Sequence, residues 1–404
     1  MTASFDVLIA GAGITGLGVG MTLARDFSGL RVAILEKEDT IAAHQTGHNS
    51  GVIHSGLYYR PGSAKARLCK AGRDELIQFC QAHDIRHEIC GKVVIATREE
   101  QLPALAELFR RGSENGLFGL SMLSSAAVRD FEPHVQCIGA IHVPSTGIVD
   151  FREVARAYSR VFSRCGGKLF LKTEVKKIER PGSKTIRFET NNGRFESRLF
   201  LNCAGLYSDR VARLSGTNPH CMIVPFRGEY YRLRRESAHL VKNLIYPVPD
   251  PRLPFLGVHF TRRIGGEIEA GPNAVLAFAR EGYTARRISL RDTFETLAYT
   301  GFHRLVAKYW RTGIEEMARS FSKSLFTQSL QELIPAVTRN YLETGGAGVR
   351  AQALGSDGKL IDDFLPRETE NAIHVLNAPS PAATSSLAIA RHIASMAGRK
   401  LGSH

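Results

Sequence analysis

The chain has 404 residues, and its 53 Lys and Arg against 39 Asp and Glu give a formal net charge of +14 at pH 7. That length can bury a large core and predicts two domains. A hydrophobic content of 43% is ordinary for a globular protein, and no apolar run approaches the ~18 residues that span a bilayer. Composition therefore argues against an integral membrane protein, and the N-terminus lacks the basic stretch of a signal peptide.

Cysteine usage and charge patterning narrow the class further. Seven cysteines are scattered along the chain, with no C-x-x-C pair and none at zinc-site spacing from a histidine. This pattern predicts reduced thiols, a cytoplasmic location and no structural metal site. The basic residues are spread out and accompany no nucleic-acid-binding motif. A solvated basic surface, a dicarboxylate substrate or a negatively charged membrane face would each explain them.

The first 36 residues hold the most specific motif. An apolar run, FDVLIA, precedes Gly11, Gly13 and Gly16 in the spacing G-x-G-x-x-G, and Glu36 closes the next apolar run, LRVAILE. These glycines permit a tight turn, close approach of backbone to a pyrophosphate, and close packing of the following helix on the sheet. The free N–H groups of that helix face the phosphates, and the carboxylate accepts hydrogen bonds from the ribose hydroxyls. The motif therefore predicts a dinucleotide site.

The elements that follow alternate between helices and strands. Loop 40–63 is long and rich in small polar residues, which favours a binding loop. Periodicity predicts helices over 64–84, 99–115 and 151–166, a strand over 168–179, then a hairpin, a buried strand (RLFLNCAG) and a short helix (YSDRVARLSG). An antiparallel sheet is predicted over 220–275, helices over 286–330, and a last strand (AIHVLNAP) and helix (TSSLAIARHIASMAG) at the end.

This order predicts an α/β fold with a discontinuous nucleotide domain. The segments of that domain are expected at 1–90, 150–215 and 340–404. A substrate domain with a mixed or antiparallel sheet is expected to comprise 91–149 and 216–339.

The C-terminal segment favours FAD over a nicotinamide cofactor. GGAGVRAQ (345–352) would place backbone against a flat ring, and the loop before the last helix aims a helix N-terminus at the flavin pyrimidine. Thr384 or Ser380 is the expected cap of that helix. An ordinary capped helix after a glycine turn is the alternative interpretation.

Five segments resemble one known family. They are HNSGVIHSGLYYRPGSAKARLC (48–69), PFRGEYYRL (225–233), residues 246–283, GVRAQ (348–352) and NAPSPAATSSLAI (377–389). They resemble the L-2-hydroxyglutarate dehydrogenase/oxidase family of the D-amino-acid-oxidase-like FAD enzymes, over nearly the whole chain. The resemblance implies a glutathione-reductase-type, Rossmann-like FAD domain and oxidation of L-2-hydroxyglutarate to 2-oxoglutarate. It also implies that electrons pass to oxygen or to a membrane quinone.

The motifs and the resemblance together predict the FAD contacts. In the first part of the chain these are Gly11, Ala12, Gly13, Ile14, Thr15, Gly16, Glu36, Lys37, Asn49, Ser50 and Gly51. In the remainder they are Val175, Ala204, Gly205, Gly348, Val349, Pro381, Ala382, Ala383 and Thr384. Noncovalent binding of the flavin is expected, although three histidines of the loop could bond its ring covalently: His44, His48 and His54.

Oxidising a secondary alcohol requires a base for the hydroxyl proton while a hydride passes to flavin N5, and a neutral imidazole suits that step. His259, in the strand FLGVHFT, would by itself be read as a core histidine, but the resemblance places it facing the flavin and makes it the preferred base. His54 is the rival base or a substrate donor. Arg350 would bind the substrate carboxylate through a bidentate pairing, unless it pairs with a structural acid. Candidate ligands of the distal carboxylate are Tyr58, Tyr59, Arg60 and Arg227.

Other functions remain open from the sequence. A flavin amine oxidase acting on glycine, sarcosine or a D-amino acid would use the same fold and arginine, and glycerol-3-phosphate oxidation is a more distant alternative. A basic nucleic-acid-binding module with a structural FAD is the non-catalytic alternative. Residues 300–326 mix aromatic and basic side chains, which is typical of a membrane-surface helix or of a helix packed on the substrate domain. The oligomeric state stays open.

Overall fold

The computed structural model describes residues 2–180, 185–250 and 256–402. Part of the 246–283 segment, residues 251–255, thus lies outside the described residues. The helices are α1 Ile14–Asp26, α2 Ala64–Ala82, α3 Leu102–Glu114, α4 Phe151–Arg164, α5 Ser208–Leu214, α6 Leu290–Ala298, α7 Thr300–Phe321, α8 Lys323–Gln331 and α9 Ser386–Leu401. The strands are β1 Thr2–Ala10, β2 Val32–Leu35, β3 Val52–Ile53, β4 His87–Glu88, β5 Lys92–Ala96, β6 Ser121–Ser124, β7 Gly139–Val143, β8 Gly147–Val149, β9 Lys168–Phe170, β10 Val175–Glu179, β11 Ile186–Thr190, β12 Gly193–Asn202, β13 Cys221–Leu233, β14 Leu244–Pro247, β15 His259–Arg262, β16 Ile268–Gly271, β17 Val275–Leu276, β18 Leu342–Gly355, β19 Leu365–Glu368 and β20 Ala372–Asn377.

The first sheet carries the N-terminal motif. Its strands run in the order β10-β11-β12-β1-β2-β9, and β20 pairs with the end of β12 and with β19. Strand β1 is parallel to β2 and β12, with Ala10 opposite both Leu35 and Asn202. Because the carboxyl ends of parallel strands meet at one edge of a sheet, Gly11 and Glu36 lie side by side there.

Helices cover this sheet through their apolar faces. α1 packs against α4 and α9, and α2 packs against α9. The apolar stretches that predicted buried strands and helices meet in one cluster, which includes Ile9, Leu17, Ile34, Tyr158 and Ile393, all essentially inaccessible to solvent. Hydrophobic burial therefore fixes the helices on the sheet, and the loops at its carboxyl edge are left to form a site.

The second sheet is mixed. Its strands run in the order β17-β13-β16-β15-β14-β5-β7-β6, and β18 pairs with β13. Strands β13 and β18 are antiparallel, with Phe226 opposite Arg350 and Gly228 opposite Gly348. Strands β14 and β5 are parallel, with Ile245 opposite Val93. The predicted α/β fold with a mixed second sheet is confirmed.

The predicted helices are also confirmed, as α2, α3, α4, α5 and α9, with α6 to α8 over 290–331 where 286–330 was expected. Strand β18 lies in the segment expected to belong to the nucleotide domain, yet its partner β13 belongs to the second sheet. The exact domain boundaries stay a prediction.

One strand prediction is wrong. Residues 168–179 form two strands, β9 and β10, at opposite edges of the first sheet. The chain turns between them, where Lys172 takes a positive φ of 50° and the Thr173 N–H donates to the Glu36 carbonyl at 2.7 Å. The predicted hairpin is confirmed, but its second strand and the buried strand after it are one continuous strand, β12.

Candidate active site

A cleft of about 1550 Å³ is lined by residues of both sheets. Most residues expected in the site are part of its wall: Gly11, Gly13, Ile14, Thr15, Glu36, Lys37, Asn49, Ser50, His54, Tyr58, Tyr59, Val175, Ala204, Gly205, His259, Gly348, Val349, Arg350, Pro381, Ala382, Ala383 and Thr384. Ala12, Gly16 and Gly51 are not part of the wall, and Arg60 is exposed away from it. Arg227 is buried and pairs with Glu229 at 2.9 Å, also outside the wall.

At the dinucleotide end, backbone leaves no room for side chains. Gly11 has a φ of 102°, and a Cβ on it would lie 2.6 Å from the Cys203 carbonyl oxygen. A Cβ on Gly16 would lie 2.0 Å from the Gly11 carbonyl oxygen. Helix α1 starts after Gly13 with no side-chain cap and no acidic residue in its first turn. This end of the helix lines the cleft with Gly13, Ile14 and Thr15, where a pyrophosphate site needs a helix N-terminus.

Glu36 is held beside this turn. Its Oε2 accepts a hydrogen bond from the Ala12 N–H at 2.7 Å, and its Oε1 accepts one from the Glu38 N–H at 3.0 Å. Thr46, which sequence reasoning missed, accepts a hydrogen bond from the Ile14 N–H through Oγ1 at 2.9 Å. The glycine turn, the open helix N-terminus and the fixed carboxylate together fit the pyrophosphate and ribose of FAD.

Lys37 neutralises an acidic cluster next to Glu36. Its ammonium pairs with Glu38 and Glu281, and His44 pairs with the same two carboxylates at 2.9 and 3.2 Å. His44 Nδ1 lies 3.3 Å from the Tyr283 hydroxyl. Because Glu281 follows β17, the cluster ties the dinucleotide edge to the second sheet.

The segment before α9 closes the other side of the cleft. The predicted cap, Thr384 or Ser380, is wrong: Ser385 is the N-cap residue and makes no side-chain cap. Thr384 Oγ1 instead accepts a hydrogen bond from the His54 N–H at 3.1 Å and donates one to the Val52 carbonyl at 3.3 Å. The side chain thus joins this segment to the loop over 40–63, and the Ser385 and Ser386 N–H groups at the start of α9 donate to the Pro381 and Ala383 carbonyls.

His259 has a defined proton position. Its Nδ1 lies 3.0 Å from the Gly257 carbonyl oxygen, which can only accept, so Nδ1 carries the proton and Nε2 holds the lone pair. Its ring lies 4.0 Å from the Tyr246 ring. Burial lowers the pKa of His259 to about 3, and the charges of Arg350 and Lys92 act in the same direction. The imidazole is therefore neutral at pH 7 and able to accept a proton.

His54 is a second neutral imidazole in the wall. Burial lowers the pKa of His54 to about 3, and Lys92 and His259 contribute. Its Nε2 lies 3.5 Å from Ser380 Oγ, at the limit of a hydrogen bond. Tyr58 and Tyr59 remain protonated donors, because burial raises the pKa of each phenol well above its usual value.

Two site residues could not be recognised from local sequence. Tyr246 on β14 lines the cleft against His259, and Lys92 on β5 lies behind Tyr246 and Tyr58. The one available signal was a lysine that opens an otherwise apolar strand, KVVIA. Both residues reach the site through the parallel pairing of β5 with β14.

Comparison with known proteins identifies the family. A family model described as FAD dependent oxidoreductase matches residues 6–396. The chain is 53% identical to the L-2-hydroxyglutarate dehydrogenase of Indibacter alkaliphilus over 386 residues, covering 95% of this chain and 96% of the relative. The chain belongs to the L-2-hydroxyglutarate dehydrogenase family of FAD dependent oxidoreductases. Its cofactor is FAD.

Other relatives agree with this assignment. The mitochondrial L-2-hydroxyglutarate dehydrogenase of Bos taurus is 44% identical, with 97% of this chain and 88% of the relative covered. Among solved structures, FAD-bound L-alpha-glycerophosphate oxidase from Mycoplasma pneumoniae superposes with a TM-score of 0.80 at 21% identity, covering 100% of this chain and 96% of that one. Glycine oxidase from Geobacillus kaustophilus superposes with a TM-score of 0.75 at 19% identity, covering 98% of this chain and 95% of that one. These two structures support the fold.

Proposed function

We propose that the protein oxidises L-2-hydroxyglutarate to 2-oxoglutarate with FAD. The observation that carries this proposal is the 53% identity to an L-2-hydroxyglutarate dehydrogenase over 95% of the chain. The cleft supports it, since a neutral imidazole and an arginine line one wall beside a site that fits FAD.

His259 is the proposed base. Its Nδ1–H is committed to the Gly257 carbonyl, so Nε2 takes the proton from the substrate hydroxyl as the carbonyl bond forms. Bound FAD would supply the acceptor for the hydride that leaves the same carbon. His54, whose backbone N–H donates to Thr384, is the rival base or a hydrogen-bond donor to the substrate in the same cleft.

Arg350 is the proposed ligand of the carboxylate next to the oxidised carbon. It lies in the cleft wall on β18, and its charge helps to lower the pKa of His259 and partly offsets the raised pKa of buried Tyr246, so it reaches the same part of the cleft. A planar guanidinium can bind a carboxylate through two parallel hydrogen bonds and fix the adjacent carbon.

The test is anaerobic addition of substrate to the purified holoenzyme, followed by flavin absorbance. L-2-hydroxyglutarate should bleach the flavin and yield 2-oxoglutarate, and the D-isomer should not. Glycine, sarcosine, D-amino acids and glycerol 3-phosphate are the comparison substrates. Bleaching by an amino acid with release of ammonia or methylamine, and none by L-2-hydroxyglutarate, would reject the proposal in favour of an amine oxidase.

We further propose that electrons pass to a quinone at an anionic membrane surface on which the protein rests. In the described part of the chain no helix is long and apolar enough to cross a bilayer. Helices α6 and α7 contact each other, and each exposes apolar side chains at helical spacing: Leu290, Phe294 and Leu297, and Val306, Trp310, Ile314, Met317 and Phe321. The first part of α7 is anchored, because Phe302 and Leu305 are buried.

Charge favours lipid over a second copy of the chain as the occupant of this surface. Four basic residues that form no ion pair with the described residues flank the apolar side chains: Arg286, Arg304, Lys308 and Arg311. Apolar side chains between cations are typical of a helix that lies in an anionic interface, whereas two such surfaces would repel each other.

Vesicle co-sedimentation tests this surface. The protein should bind vesicles with anionic lipid and not zwitterionic ones, and a Phe294→Ser/Trp310→Ser/Phe321→Ser variant should lose binding but keep turnover with a soluble dye. Stoichiometric hydrogen peroxide release with no quinone reduction would assign oxygen as the acceptor. A dimer that dissociates in the triple variant, without vesicle binding, would assign the surface to a second copy.

A further inference from the structure

Lys92 is a buried cation with no role in the steps above. It opens β5 and is 2% exposed. Its ammonium forms no ion pair with any residue that the structure describes, and lies 4.4 Å from the ring centre of Tyr58 and 4.8 Å from that of Tyr246. Burial lowers the pKa of Lys92 to about 7. Near neutral pH the group therefore exchanges between ammonium and neutral amine, and an anion that binds beside it would stabilise the ammonium.

The hydroxyl of Tyr58 also lacks a partner. Tyr58 lines the cleft, yet its Oη is buried and forms no hydrogen bond with the described residues. A buried donor without an acceptor is unfavourable. A carboxylate at this point would accept the phenol hydrogen bond and be neutralised by the cation beside it.

The position of Lys92 also suits a substrate with two carboxylates. The charges of Arg350 and Lys92 both act on His259, so both cations lie near the proposed base. The charge of Lys92 also helps to lower the pKa of His54. Two cations near one base match a molecule whose oxidised carbon lies between two carboxylates.

We propose that Lys92 and Tyr58 recognise the distal carboxylate of the substrate and make the cleft selective for 2-hydroxy dicarboxylates over 2-hydroxy monocarboxylates. This inference rests on the proposed function. Tyr58 is the hydrogen-bond donor in the wall. Lys92 lies outside the wall and acts from behind the Tyr58 and Tyr246 rings, so it is a positioning residue that determines specificity.

The charge of Lys92 depends on pH, because burial lowers its pKa to about 7 and no carboxylate among the described residues pairs with it. The titratable groups around it are Tyr58 and His54 from the polar loop, Cys69 from α2, Tyr246 from β14 and His259 from β15. Above about pH 7 the ammonium loses its proton in the free enzyme, so binding of a dicarboxylate must then take up a proton. Dicarboxylate affinity should therefore fall as pH rises through this range, and monocarboxylate affinity should not.

The experiment titrates oxidised holoenzyme with glutarate and with valerate, which have five carbons and no oxidisable hydroxyl, and follows the flavin spectrum. Lys92→Met should weaken glutarate binding roughly 10- to 100-fold and leave valerate binding within about twofold. Lys92→Arg should keep the preference for glutarate over valerate. It should also remove the decline in glutarate affinity at alkaline pH, since a guanidinium stays charged. Lys177→Met, at an exposed lysine on β10, is the matched control and should change neither ligand.

Tyr58→Phe is the second variant and keeps the test decisive if Lys92→Met does not retain FAD. It should weaken glutarate binding selectively, because it removes only the donor. Unchanged glutarate binding in the variants, or equal weakening of both ligands, would overturn the inference. A wild-type enzyme that L-2-hydroxyglutarate fails to reduce would instead overturn the proposed function, so the two failures are distinguishable.

Discussion

The two ends of the cleft differ in whether backbone or side chains form their walls. At the dinucleotide end the walls are backbone, since a Cβ on Gly11 or Gly16 would collide with a carbonyl oxygen. At the substrate end the walls are buried side chains, and burial holds His54 and His259 neutral. The first end is therefore sensitive to any added atom, whereas the second is sensitive to charge and protonation.

The sharpest test of the backbone end is Gly16→Ala. Its Cβ would lie 2.0 Å from the Gly11 carbonyl oxygen, inside the turn that faces the pyrophosphate. We expect loss of FAD, measured as the ratio of flavin to protein absorbance after gel filtration. Gly313→Ala in α7 is the control, because nothing lies within 4 Å of its Cβ. It should keep FAD and change stability by no more than about 1 kcal/mol. Full flavin content in Gly16→Ala would contradict the backbone account.

At the substrate end, His259→Asn should leave the fold and the flavin in place and slow flavin reduction by about 10²–10⁴-fold, the usual effect of removing a general base. Stopped-flow reduction under anaerobic conditions measures this rate. His54→Asn is the matched variant and should have the smaller effect. The reverse order of the two rates would exchange the roles of the two histidines.

The junction of the two ends depends on a buried ion pair. Arg280 Nη2 lies 2.9 Å from Asp209 Oδ2, the carboxylate is fully buried, and Arg280 also donates to the Leu206 carbonyl at 2.6 Å. Asp209→Asn leaves the buried guanidinium with only the more distant Glu295, at 3.9 Å, and should lower the free energy of unfolding by about 3–5 kcal/mol. Urea denaturation of the holoenzyme measures the change.

An exposed pair supplies the control for this junction. Glu153 pairs with Arg156 one turn along α4, where both side chains are about half exposed. Glu153→Gln should leave the unfolding midpoint unchanged within error, because exposed pairs contribute little. A comparable loss of unfolding free energy in both variants would mean that the buried pair contributes no more to stability than the exposed pair.

The smallest effect concerns acid stability. The pKa of His259 is lowered on folding, so below about pH 6.5 the unfolded chain binds a proton that the folded chain does not, and stability falls as pH falls. One such histidine contributes a slope of at most about 1.4 kcal/mol per pH unit. Between pH 6 and pH 4 the unfolding free energy of His259→Asn should therefore fall less steeply than that of the wild type. Parallel slopes would show that His259 is not protected from protonation.

The sequence alone was sufficient for the dinucleotide end. Gly11, Gly13, Gly16 and Glu36 lie within one strand–turn–helix–strand unit, whose geometry follows from short-range backbone constraints. The helices over 64–84 and 99–115 were predictable for the same reason, since their periodicity is local. The strand predicted over 168–179 failed because its break depends on hydrogen bonds to Glu36 and Glu38, more than 130 residues earlier in the chain.

The substrate end was only partly predictable. His259 and Arg350 were expected from long motifs, but their side chains reach the cleft through strands of the second sheet that are distant in sequence. Thr384 was expected as a helix cap and instead bonds the polar loop. Nothing near Lys92 or Tyr246 in the sequence indicates the other, because only the parallel pairing of β5 with β14 brings them together.

By itself, therefore, the sequence determined the family, the cofactor and the backbone cradle that fits it, since those depend on glycines and strands close together in the chain. Only the tertiary structure decided which nitrogen of His259 is free, how deeply each titratable group is buried, and which cation lies behind Tyr58. Protonation and charge depend on surroundings assembled from distant segments, and burial is a property of the folded molecule as a whole.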